Sequence, residues 1–273
     1  MRLQHVILTR FNLATPGREE AIRNREGWLE RRFELFEWIC LPAIAAQTNQ
    51  NFLWIIYFDE HTPQVFKDRI AKLQETFPFV AYYTGLFPGD GWPRSVREVL
   101  AERGIEPEVI LSTRLDNDDG LALDYVDRIQ KAAEGQDITG PTFFNIRAGC
   151  IMGNDRIYTI DHPSNAFFSV AEPFGGDFKT AFATQHMTIA DHGPVVQLSG
   201  TPGWLQLVHG ENVSNKIRGR RIAPETMTAH FAPEAIGTVP TPSGVSVLLE
   251  NAVLTPIRSL RDKLLALRSQ RAR

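Results

Sequence analysis

The chain has 273 residues, 43% hydrophobic and 22% charged, the composition of an ordinary globular protein with a sizeable core. Its formal net charge of −3 argues against a general nucleic-acid binder, which presents a basic face. The two cysteines, Cys40 and Cys150, fit no zinc or disulfide pattern, and no stretch approaches the roughly 18 apolar residues of a membrane span, so the expected location is the cytoplasm.

In chain order, His5 to Phe11 reads as a buried strand ending at Asn12. Leu29, Phe33, Phe36 and Cys40 recur at steps of three or four, the stripe of a helix on a core, and Pro42 should kink or restart it. Phe52 to Phe58 is an unbroken apolar run ending in Asp59, as in a strand covered on both faces of a parallel sheet. A helix should follow, with Thr62 as N-cap and Pro63 at its first position. A third strand is expected over Phe79 to Thr84, and a helix over Ser95 to Arg103 closed by Gly104. Val109-Ile110-Leu111 starts a fourth strand that runs into Thr113-Arg114-Leu115-Asp116-Asn117-Asp118-Asp119.

Alternating strands and helices over the first 130 residues mean a βαβ nucleotide-binding layout, in which ligands collect at the carboxyl ends of the strands. Arg10, Asn12, Asp59 and Asp116 all fall at such ends. Beyond residue 140 the pattern is less regular, as for a second half packed on the same sheet. Thr238 to Gly244 reads as a linker, and Thr255-Pro256 opens a last helix with Leu260, Leu264 and Leu267 on one face.

Three carboxylates within four residues repel one another unless a cation or a set of donors compensates them. Mg²⁺ or Mn²⁺ shared with substrate phosphates would do so; a solvated turn capping the next helix is the alternative. An EF-hand fails on spacing, since its sixth position holds Leu121. The P-loop, the dinucleotide fingerprint, the hydrolase elbow and the zinc-protease helix are all missing from the sequence.

The run Thr113 to Asp119 resembles the D-x-D-D motif of GT-A-fold glycosyltransferases. More narrowly, the chain resembles the family described as "putative rhamnosyltransferases". The resembling pieces are Arg10-Phe11-Asn12, Leu35-Phe36-Glu37, Cys40-Leu41-Pro42, Gln47 to Phe52, Trp204-Leu205-Gln206 and His209 to Asn212. The resemblance implies an α/β fold of GT-A type, related to the Rossmann fold, with a mostly parallel central sheet flanked by helices. Residues 1–237 would form the transferase domain, with 1–135 binding nucleotide-sugar and 136–237 facing the acceptor. Residues 238–273 would add the linker and a basic C-terminal helix.

It implies a nucleotide-sugar donor, with dTDP-rhamnose one candidate, a glycan or lipid-linked saccharide acceptor, and Mn²⁺ or Mg²⁺ as cofactor. Asp116 and Asp118 would hold the cation on the donor diphosphate, with Asp116 also turned to the ribose. His209 is either a third ligand or a hydrogen-bonded strand-end histidine, and Trp204 either a sugar-stacking wall or a core residue. Arg10, Asn12, Asp59 and Arg94 are the nucleotide-side candidates, with Arg97 beside them; for Asp59 the alternative is a turn cap. Arg114 is expected to neutralise the acidic cluster. An inverting transfer needs a carboxylate to take the acceptor proton. Glu172 is the first choice, with Asp191, Asp155 and Asp177 as rivals.

The tail from Ile257 carries Arg258, Arg261, Lys263, Arg268, Arg271 and Arg273 against Asp262 alone. It reads either as a packing helix that frays into solvent or as a helix lying peripherally on an anionic membrane. Two other functions compete: a metal-dependent nucleotidyl- or phosphoryl-transferase, and a non-catalytic carbohydrate-binding protein of the same fold.

Overall fold

In a computed structural model, residues 1–14, 18–23, 25–85, 91–175, 177–210 and 216–257 are described. The strands are β1 Leu3–Arg10, β2 Leu53–Asp59, β3 Val80–Thr84, β4 Val109–Arg114, β5 Gly120–Leu121 and β6 Thr142–Ile146. They continue with β7 Ala148–Gly153, β8 Arg156–Asp161, β9 Ser169–Pro173, β10 Val195–Leu198, β11 Trp204–Leu207 and β12 Arg220–Ile222. The α-helices are α1 Arg18–Arg23, α2 Trp28–Leu35, α3 Leu41–Ala45, α4 Gln64–Thr76, α5 Pro93–Glu102, α6 Tyr125–Glu134, α7 Pro233–Ile236 and α8 Gly244–Leu249.

A seven-stranded sheet runs β10-β6-β9-β4-β1-β2-β3, with β3, β2, β1 and β4 parallel and flanked by helices. This is the mostly parallel α/β architecture expected from the apolar runs. Strand β9 departs from it, lying antiparallel between β4 and β6. A second sheet, β12-β8-β7-β11-β5, grows from the loop after β4. The later half of the chain therefore completes the first sheet and also builds its own.

One face of the main sheet packs on α2 and α3 through an aromatic cluster in which the Phe11 ring lies 4.5 Å from Phe33 and 4.9 Å from Phe58. Such pairs add about 0.5–1.5 kcal/mol each beyond the area they bury. Between α2 and α3 the chain makes a wider π turn, Phe36–Cys40, in which the Leu41 N–H donates to the Phe36 carbonyl. Pro42 explains it: a proline has no N–H for the carbonyl four residues back and its ring clashes there, so the turn widens and the helix continues.

Two helix starts differ from the sequence reading in what caps them, while β1, β3 and α5 shift by one or two residues. Thr62 does not cap α4: its hydroxyl donates to the Asp59 carbonyl and accepts from Asn12, while Pro63 takes the cap position. The C-terminal helix begins at Gly244 rather than Thr255, capped by the Ser243 hydroxyl, so the supposed linker is mostly its approach. The basic residues Arg258 to Arg273 lie outside the described residues. Among the described residues no helix is long and apolar enough to cross a membrane.

Candidate active site

The loop after β4 is fixed before any side chain acts on a ligand. The Leu115 N–H donates to the Leu8 carbonyl, the Asp119 N–H to the Asp116 carbonyl, and the Asn117 amide to the Phe11 carbonyl. A tight turn is thereby pinned across the carboxyl ends of β1 and β4, and it points three carboxylates in three directions.

Asp118 is buried, and its Oδ2 receives two donors. Arg32 Nη1 on α2 lies 2.6 Å away and His209 Nε2 just past β11 lies 2.9 Å away. Burial alone would push this carboxyl up, but the His209 hydrogen bond and the Arg32 charge hold it below the usual carboxylate range. Arg32 is itself oriented by Asn117 Oδ1 at 3.3 Å and by the Trp28 ring, 5.3 Å from its guanidinium carbon. Asp119 points inward, where its Oδ1 accepts from the Leu207 N–H and ties the loop to β11. Burial, together with Asp118 and Asp116, pushes its carboxyl well up. Asp116 sits at the rim, 3.4 Å from Arg114, as expected for a charge that neutralises the cluster.

His209 reaches Asp118 because Gly149 lets β11 approach β7 closely. A Cβ on Gly149 would stand 2.0 Å from the Trp204 ring. Trp204 is a core residue, stacked on Phe167 at 4.8 Å with its indole N–H on the Ile146 carbonyl, and is no sugar wall.

The nucleotide-side candidates divide. Asp59 and Asn12 stand together at the ends of β2 and β1, with Asn12 Oδ1 accepting from the Asp59 N–H. Asp59 also accepts from Arg23 Nη1 at 2.8 Å and caps the turn at His61. Asn12, Arg23, Trp28 and Asp59 border a recess of about 170 Å³. Arg10 and Arg114 share the Phe182 ring, 5.5 and 5.3 Å from its centre. Arg94 is not gathered with them: it is exposed and paired with Glu98 one turn along α5. Arg97 packs over Phe174 and Phe178.

The expected base is a correction. Glu172 lies opposite Ile110 in the β4–β9 pairing, four residues before Arg114, which puts it about 13 Å down the strand from the loop. It is buried, accepts from the Lys179 N–H, and is pushed up to about 7 by burial. The antiparallel run of β9 carries Glu172 to the amino-terminal end of β4, away from the aspartates. Asp191 fails for a related reason. It precedes β10, whose Val195 pairs with Phe143, so it falls near that same far end and at the sheet edge. Asp177 lies in the loop beyond β9. Asp155 differs, because it sits at the tip of the β7–β8 hairpin. The Val208 N–H donates to the Met152 carbonyl, so this tip is on the His209 side, one strand from β11.

Arg32, Arg23 and Phe182 were not singled out by sequence. The only signal for Arg32 was a charge on the otherwise apolar stripe of α2.

A cation at Asp118 would have to displace the Arg32 and His209 hydrogen bonds from Oδ2. Asp118 and His209 already converge, and Mg²⁺ characteristically takes one or two carboxylates plus phosphate and water. Among the described residues no group of three His, Cys, Asp or Glu side chains is arranged to hold a metal ion.

A family model described as "Putative rhamnosyl transferase" matches residues 4–221. No curated protein matches the chain. Solved structures resemble it distantly. A "putative nucleotide-diphospho-sugar transferase" from Desulfovibrio desulfuricans G20 is 9% identical, covering 75% of this chain and 80% of that one, with a TM-score of 0.38. The 4-diphosphocytidyl-2C-methyl-D-erythritol synthase is 14% identical, covering 80% and 94%, with a TM-score of 0.36. HddC from Yersinia pseudotuberculosis is 10% identical, covering 76% and 90%, with a TM-score of 0.33.

Proposed function

The chain belongs to the "Putative rhamnosyl transferase" family, and we propose that it moves a sugar, rhamnose by the family's description, from a nucleotide-sugar donor to a saccharide acceptor. The observation that supports this best is the meeting of Asp118, Arg32 and His209 at the carboxyl ends of β1 and β4. Open α/β sheets bind ligands at that end.

On this reading the nucleotide lies along Asn12 and Asp59, with Arg23 holding the Asp59 carboxylate in place. The diphosphate reaches Asp116 and Asp118. Mn²⁺ or Mg²⁺, held by Asp118 and His209 with Asp116 at the rim, would offset charge growing on the departing diphosphate. His209 and Arg32 together keep Asp118 ionised and oriented. Asp155, on the acceptor side of His209, replaces Glu172 as the group to take the acceptor proton. The same carboxylates could serve nucleotidyl transfer, but sugar transfer is the reading the family supports.

Thermal unfolding with UDP, GDP or dTDP, each with and without Mn²⁺, tests the proposal. A rise in Tm that needs both nucleotide and Mn²⁺ is expected, and transfer should follow with the matching nucleotide-sugar. No response to any nucleotide would overturn the donor assignment.

A further inference from the structure

The chain is helical from Gly244 to Ile257, passing through a second π turn at Glu250–Leu254. Pro256 follows this turn as Pro42 follows the first. Its inward face is polar and tied to β8 and β12. Glu250 is buried and accepts from Arg156, Arg221 and the Tyr158 hydroxyl, and Asn251 bonds the Arg221 backbone in both directions. Its outward face is apolar. Val245, Leu248, Leu249, Val253, Leu254 and Ile257 are 44–69% exposed, six of the ten exposed large hydrophobic residues among the described residues. Scattered surface leucines need no explanation, but six on one fourteen-residue helix do.

Beside this face a groove of about 580 Å³ runs between the helix and the start of β8, walled by Arg156 and by the buried Arg221, which share the single countercharge of Glu250 and leave one net positive charge. Lys216, Arg218 and Arg220 are exposed just before and within β12. In sequence the helix leads directly into the six basic residues of the tail. An apolar face with a cationic margin is poorly matched by the cationic tail or by a second copy of the same surface. It is matched by anionic lipid, into which such a helix sinks its apolar side while the margin meets the headgroups.

We propose that the helix Gly244–Ile257 and its arginine-lined groove dock this protein on an anionic membrane surface. The register of the second sheet adds a consequence. Met152 pairs with Leu207 and Ile157, and Ile157 with Ile222, so the groove opens at the same end of that sheet as His209. Docking there turns the candidate site towards acceptors carried at the membrane.

Flotation of the full chain with vesicles tests this, comparing pure phosphatidylcholine with vesicles containing about a third phosphatidylglycerol. Binding is expected only to the anionic vesicles and should weaken with salt. The double substitution Val245→Ser, Leu248→Ser should reduce binding about tenfold or more and leave the nucleotide-induced rise in Tm unchanged. Absence of binding, or equal binding by the double variant, overturns the proposal. So does a parental dimer that the double variant splits, which would make the face a contact between copies. Flotation needs neither donor nor acceptor, so its failure is distinguishable from failure of the sugar-transfer reading.

Discussion

His209 Nε2 stands 2.9 Å from Asp118 Oδ2 across ninety-one residues of sequence, and Arg32 closes the same oxygen from the other side at 2.6 Å. One carboxylate thus joins the first sheet, the second sheet and α2. A carboxylate so enclosed contributes to the stability of the fold, apart from any ligand it holds.

Asp118→Asn should therefore do two things. It should abolish Mn²⁺-dependent nucleotide binding, and it should destabilise the fold by about 2–4 kcal/mol, because Arg32 loses a buried partner. Urea unfolding and nucleotide titration measure the two separately. An unchanged midpoint would show that the pair carries no stability, against the burial seen here.

Arg32→Ala should lower Tm without ligand and enlarge the stabilisation that Mn²⁺ provides. The guanidinium is the standing countercharge of Asp118, and a cation would compete for the same oxygen. Arg32→Lys should fall between the two, since a point charge lacks the planar stacking on Trp28. A Mn²⁺ response identical to that of the parent would remove the competition.

Glu172→Gln should leave transfer intact and change the pH dependence of stability. Burial raises this acid to about 7 from an ordinary 4.5. Between those values the native state keeps a proton that the unfolded chain has lost, so the contribution is full below about pH 4.5 and lost as pH rises through about 7. The variant should match the parent near pH 5 and exceed it near pH 8 by about 1–3 kcal/mol. Loss of transfer with donor binding retained would return Glu172 to the role of base.

Asp155→Asn should lower transfer by about 10² or more, the usual contribution of a positioned base, with nucleotide affinity unchanged. Parental turnover in this variant would exclude the hairpin tip as the source of the base.

Gly149→Ala tests how His209 is delivered. The added methyl group has to displace the Trp204 ring, so β11 should shift at a cost of about 1–3 kcal/mol or more. Nucleotide binding should weaken along with stability, whereas a shift confined to the tryptophan side chain would spare it.

The parallel half of the fold and the location of the acidic loop were legible in the residue pattern alone. Runs such as Leu53 to Phe58 are apolar on every residue, which suits only strands covered on both faces, and their polar ends mark where ligands collect. For His209 the sequence left two readings, a third ligand or a hydrogen-bonded strand-end histidine, and the fold brings the imidazole onto Asp118. The direction of β9 was not legible. Ser169 to Pro173 reads the same whether the strand runs parallel or antiparallel, and that direction alone decides whether Glu172 faces the loop or the far end of the sheet. Arg32 and Arg23 were equally hidden, because a helical arginine looks the same beside solvent as beside a carboxylate. Pairings of this kind depend on how helices settle on the sheet, which is fixed by apolar packing elsewhere in the chain, so only the tertiary structure could decide them.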